Sequence, residues 1–145
     1  SYAGKIGDIC RLWSMKFCYK KYAPGVLRPV IPIEIIYKDR AIPYEVLVDS
    51  GADMCIFEDQ IGEILGIDIV GGEKQEVWGI TGTGKDYYVH PVTIKVGGLS
   101  YNIKAGFLPD IAKLGYGVVG QRGFFDIFVV QFDLIKEEIE LKPRK

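Results

Sequence analysis

Charge of one sign is the first thing this chain lacks: across 145 residues, 18 Lys plus Arg stand against 19 Asp plus Glu, a formal net charge of -1. With no basic field to follow a nucleic-acid backbone or an anionic membrane surface, neither partner is expected. Long apolar runs are also missing. The longest, residues 123–132, is interrupted by Asp126 and falls far short of the roughly twenty residues a membrane-spanning helix needs. Cysteine is scarce: Cys10, Cys18 and Cys55 make neither a CxxC pair nor an even framework, and the single His90 has no ligand neighbour at metal-binding spacing. No metal and no other cofactor is expected. Three thiols without a disulfide pattern fit a reducing cytoplasm, as small buried apolar residues. Lys5, Asp8 and Arg11 fall where the apolar centre of a secretory signal would have to lie, so no such signal is expected.

What the chain does have is apolar and aromatic side chain, 48% and 12% of its residues. One domain of this size buries about two thirds of the surface its unfolded chain exposes and needs no staple. Residues 1–23 mix Lys, Tyr, Cys and Trp with only a weak helical spacing of Ile9, Leu12, Trp13 and Phe17, and read as an N-terminal extension to a domain spanning 24–145. From Pro24 onward, short β-rich runs alternate with turn signals, which predicts an all-β fold. Residues 30–37 and 42–48 are Ile/Val-rich strands joined by Lys38-Asp39-Arg40. Residues 58–65 place Ile61, Ile64 and Leu65 at helical spacing, with Gly66 to stop the helix. Residues 73–80 and 85–96 form a long hairpin tipped by Thr81-Gly82-Thr83-Gly84. A strand at 99–107, a buried apolar run at 117–120 and a helical turn at 121–128 follow, and 129–133 pairs with 138–141.

One segment carries chemistry. Val46-Leu47-Val48-Asp49-Ser50-Gly51-Ala52-Asp53 delivers a carboxylate from the end of an apolar strand into a tight turn. Such a group is partly desolvated and tolerates it only with hydrogen bonds or a proton. Ser50 can supply a hydroxyl, and Gly51 lets backbone come close. The same residues also read as an ordinary Asx turn closing a strand.

At this point the chain resembles the retropepsin-like aspartic proteases, the family of the retroviral proteases and their bacterial relatives. Asp49-Ser50-Gly51-Ala52 matches the family's active-site loop, the glycine-tipped hairpin at 78–85 stands where the family carries its flap, and Val118-Val119-Gly120 resembles its apolar-apolar-Gly element. Together these span residues 26–142. The resemblance implies an all-β, closed β-barrel-like domain with a flap hairpin and one or two short helices. It implies an aspartic endopeptidase acting on a peptide or protein substrate, with Asp49, Ser50 and Gly51 catalytic and Ala52, Asp53, Gly79, Ile80, Thr81 and Gly82 along the substrate. Asp-Ser-Gly occurs once and the chain has no room for a second lobe, so two carboxylates sharing one proton imply a homodimer. Met54, Trp78, Ile80 and Val119 are candidate apolar pocket residues, with a core role equally open to Trp78 and Val119. One departure stands out: Gln121 occupies the place of the Arg that pairs with the acid after Gly-Ala in retroviral members, and Arg122 comes one residue later.

Other readings compete. Residues 79–85 satisfy the first seven places of a phosphate-binding loop, but Asp86 stands where Ser or Thr should hold magnesium, and the sequence beyond it reads as strand rather than helix. Cys55 and His90 invite a thiol-protease reading, although nothing in the sequence places them together. The principal alternative is a catalytically silent dimer of the same fold that binds a peptide or protein partner; the intact Asp-Ser-Gly-Ala loop and the retained hairpin favour the enzyme.

Overall fold

The computed structural model describes residues 14–78, 84–109, 111 and 115–144. Runs rich in Ile and Val pair into strands, whose side chains point alternately to the two faces so that one face is buried. In chain order these are β1 (Met15–Cys18), β2 (Lys20–Ala23), β3 (Val26–Arg28), β4 (Val30–Tyr37), β5 (Arg40–Val48), β6 (Cys55–Glu58), β7 (Glu73–Trp78), β8 (Gly84–Val96), β9 (Leu99–Leu108), β10 (Gly117–Val119), β11 (Phe128–Asp133) and β12 (Glu138–Pro143). A short helix α1 (Asp59–Ile64) follows β6, and a single 3-10 turn (Ile69–Gly71) precedes β7.

Six strands close into a barrel in the order β4-β5-β10-β6-β9-β8, with β8 returning to pair with β4. The seam is set by Glu34 against Lys95, Ile35 against Ile94 and Ile36 against Thr93. Ile31, Ile33 and Ile35 of β4 and Val92, Ile94 and Val96 of β8 point inward at every second position, each buried. Phe57 and Phe107, both fully buried, meet edge to face at 5.9 Å beneath α1. The N-terminal half of β8 leaves the barrel and pairs with β7, making the long hairpin expected from the glycine pattern.

A second sheet, β1-β12-β11, covers one side, and Met15, Phe128, Ile139 and Leu141 join the same core. Residues 15–18 are therefore strand, and Phe17 pairs with Ile139. The terminal hairpin pairs as anticipated, with Asp133 opposite Glu138. The helical turn expected at 121–128 is not a regular helix. Gly123 adopts φ +98°, outside helical space, so Phe125 N–H reaches back to Gly120 and Asp126 N–H to Gln121. Among the described residues no helix is long and apolar enough to cross a membrane.

Candidate active site

β5 and β10 lie parallel, Val46 beside Gly117, Leu47 beside Val118 and Val48 beside Val119. The ladder runs one bond past the end of β5: Asp49 N–H donates to Val119 O at 3.0 Å. Asp49 thus leaves the barrel at a fixed point, half-buried. The chain then turns at once, with Ala52 N–H on Asp49 O at 3.2 Å and Gly51 N–H on Asp49 Oδ1 at 2.9 Å. The Asx turn is real, and its hydrogen bond orients the carboxyl group.

The segment after β10 grips this loop from the side. Gln121 N–H donates to Ala52 O at 2.8 Å, Arg122 N–H to Asp53 O at 3.0 Å, and Gln121 Nε2 to Ser50 O at 2.6 Å. Glycine is required at 120, where a Cβ would stand 2.4 Å from Ala52 O and 2.7 Å from Met54 O. Beside the loop opens a cleft of about 480 Å³, lined by Gly51, Ala52, Asp53, Met54, Ile56, Glu76 and Tyr87. Asp49, Ser50, Gly51, Ala52 and Asp53 are thereby gathered at one edge of the barrel. Gly79, Ile80, Thr81 and Gly82 lie outside the described residues, as does the side chain of Trp78. Met54 is 8% exposed and walls the cleft, whereas Val119 is fully buried and serves Asp49 through its carbonyl.

Arg122 and Asp53 meet through backbone, and among the described residues their side chains form no ion pair. Three contributors were not foreseen. Gln121 holds Ser50 O through its side-chain amide. Tyr87, directly across from Gln75, donates its hydroxyl to Gln75 Oε1 at 3.0 Å, with Met54 Sδ at 3.4 Å as a second acceptor. Burial raises the Tyr87 pKa, the Asp53 charge adding to this and Arg122 opposing it, so the hydroxyl stays a donor. Glu76 closes the cleft toward the hairpin. Alternation along 85–96 already placed Tyr87 and Val89 on one face; which face met the cleft was a matter of hairpin packing.

The thiol reading fails on geometry and on charge. Cys55 and His90 each pair with Ala105 from opposite sides, two strand spacings or roughly 10 Å apart at the backbone. Burial pushes the Cys55 thiol up to about 12, and it donates to Arg122 O, while His90 Nε2 sits 2.7 Å from Ile69 O. Lys85 and Asp86 lie in strand β8 rather than at the start of a helix, so the described residues after the glycine-rich tip offer no helix N-terminus to a phosphate.

No sequence-family profile and no curated protein matches the chain. Among solved structures, it is similar to a retropepsin-like aspartic protease from Rickettsia conorii, with a TM-score of 0.62 over 89% of this chain and 91% of that one at 15% identity. The chain has the retropepsin-like fold. It also matches EIAV protease complexed with the inhibitor HBY-793, at 23% identity and a TM-score of 0.45 over 70% of this chain and 88% of that one. Within the retropepsin-like fold, Asp49 sits on the loop between β5 and β6, and the grip from Gly120, Gln121 and Arg122 comes from the segment after β10.

Proposed function

We propose that the protein is an aspartic endopeptidase whose catalytic pair is Asp49 from each of two copies. The observation that carries this is the pinned turn at Asp49: a half-buried residue whose carboxylate is held by Gly51 N–H at 2.9 Å and whose backbone is tied to Val119, on a loop whose next residues, Gly51, Ala52 and Asp53, line a cleft. One chain supplies one such carboxylate. Two of them about 3 Å apart cannot both ionise, so the pair shares a proton and divides the roles of acid and base. The ionised Asp49 takes a proton from water as the protonated one donates to the scissile carbonyl oxygen, giving a tetrahedral diol with no covalent enzyme intermediate. In this reading Ser50, exposed beside Asp49, bonds across to the second copy. Ala52 and Asp53 flank the extended peptide, and the β7–β8 hairpin covers it. The Rickettsia conorii structure supports this reading at the level of the fold.

Asp49→Asn tests it by removing the titrating oxygen at nearly constant volume. Hydrolysis of a mixed peptide library should drop to background while folding and association persist; retained turnover in the purified variant would sink the assignment.

A further inference from the structure

Next to the cleft, across Met54, lies a second cavity of about 490 Å³ that takes no part in holding Asp49. Its walls include Met54, Glu73, Gln75, Lys104, Arg122 and Asp126. Both cavities sit under the same face of the β7–β8 hairpin, where Gln75 pairs with Tyr87 and Glu73 with Val89. The Tyr87 hydroxyl bonded to Gln75 and touching Met54 forms the partition between them.

The charges in this cavity are not equally engaged. Asp126 Oδ1 accepts Gly123 N–H at 3.0 Å, and Glu73 Oε1 accepts Gln75 Nε2 at 3.3 Å. Among the described residues, Arg122 and Lys104 have neither an ion pair nor a side-chain hydrogen bond. Arg122 stands beside the cleft by chain geometry, since it bridges Met54 and its N–H holds Asp53 O. Its charge also reaches the Tyr87 hydroxyl in the partition.

We infer that this cavity is an accessory specificity site for an acidic side chain of an extended peptide, with the Arg122 guanidinium as its main partner and Lys104 as a second positive charge. The inference rests on the peptidase reading, in which Ala52 and Asp53 flank the extended peptide; Met54, next along the chain, walls both cavities. A guanidinium presents a planar fork that matches a carboxylate, whereas glutamine offers it only a neutral oxygen. The volume lies in the range of small-ligand pockets and accommodates one long side chain easily.

The test uses fluorescein-labelled decapeptides identical except for one residue, Glu, Gln or Lys, walked through every position. Binding is measured on the full chain carrying Asp49→Asn, and hydrolysis on the unsubstituted chain. At one position distal to the cut, Glu should bind roughly three- to tenfold tighter than Gln, with Lys weakest. Adding Arg122→Gln should bring the Glu-to-Gln ratio to about one, Arg122→Lys should keep part of it, and Arg122→Glu should turn the preference toward Lys. Because the Arg122 side chain is exposed, these variants leave the core untouched. Equal binding of Glu and Gln peptides, binding of none, or a preference that survives Arg122→Gln together with Lys104→Gln overturns the inference. Absence of hydrolysis for every peptide overturns the peptidase reading instead, and the binding ratio still decides the cavity.

Discussion

Replacing Gly120 by Ala adds one methyl group at the most crowded point of the site. That Cβ would stand 2.4 Å from Ala52 O and 2.7 Å from Met54 O, both backbone atoms that no rotamer change can move. Ala52 O must retreat by about 0.6 Å to restore even 3.0 Å, the distance below which real Cβ contacts essentially cease. Ala52 O is also the acceptor for Gln121 N–H at 2.8 Å, and Ala52 N–H closes the turn on Asp49 O. The methyl group therefore pushes on the loop that fixes the carboxylate. Overpacking of this kind costs about 1–3 kcal/mol, which for a chain of this size lowers Tm by about 3–10 °C. If Asp49 is the catalytic group proposed above, displacing it by a sizeable fraction of an ångström should lower kcat/KM by about 10- to 100-fold. Thermal unfolding and peptide hydrolysis are measured on the same preparation. Gly98→Ala is the control, because a Cβ there meets nothing within 4 Å. If Gly120→Ala matches Gly98→Ala in both Tm and kcat/KM, the idea that backbone contact at Gly120 sets the Asp49 loop is refuted.

Two further outcomes follow from the same structure. Burial pushes the Cys55 thiol from 9.0 to about 12, so between those pH values the folded chain keeps a proton that the unfolded chain loses. Stability should therefore fall as pH rises above 9, with Cys55 contributing up to about 1.4 kcal/mol per pH unit; urea unfolding of Cys55→Ala should show a correspondingly shallower fall, and equal slopes would exclude Cys55 as a source. If each active site needs Asp49 from two copies, freely exchanging equal mixtures of unsubstituted and Asp49→Asn chains should retain about one quarter of the activity, because only fully unsubstituted pairs work. A linear dependence on the unsubstituted fraction, with exchange demonstrated, would show that each chain acts alone.

Local pattern determined most of the secondary structure. Residues 30–37 and 42–48 are rich enough in Ile and Val, on either side of Lys38-Asp39-Arg40, to specify a hairpin, and it forms with Tyr37 opposite Arg40. The apolar run ending at Asp49 likewise signalled a carboxylate at a strand end, because the residues that create the environment are its chain neighbours. The segment 121–128 misled, since aromatic spacing alone does not register that Gly123 takes a left-handed φ. Weak helical spacing in the first 23 residues also hid the strand at 15–18, which exists because Met15–Cys18 finds an edge on β12, far away in sequence.

The site itself was only half legible. Asp49, Ser50 and Gly51 are consecutive, and so are the bonds of their turn. The grip on that turn is not: Gln121 reaches Ser50 and Arg122 reaches Asp53 across some seventy residues, and Tyr87 meets Met54 only once the β7–β8 hairpin folds down. Arg122 shows the difference most clearly. Its position, one residue later than the Arg of the retroviral pattern, left open whether it meets Asp53; the barrel brings its backbone to Asp53 and places it along the wall of the neighbouring cavity. Sequence determines which groups are available and what strand or turn carries them; closure of the barrel decides which of them meet, because backbone register across strands fixes side-chain neighbours that no local pattern encodes.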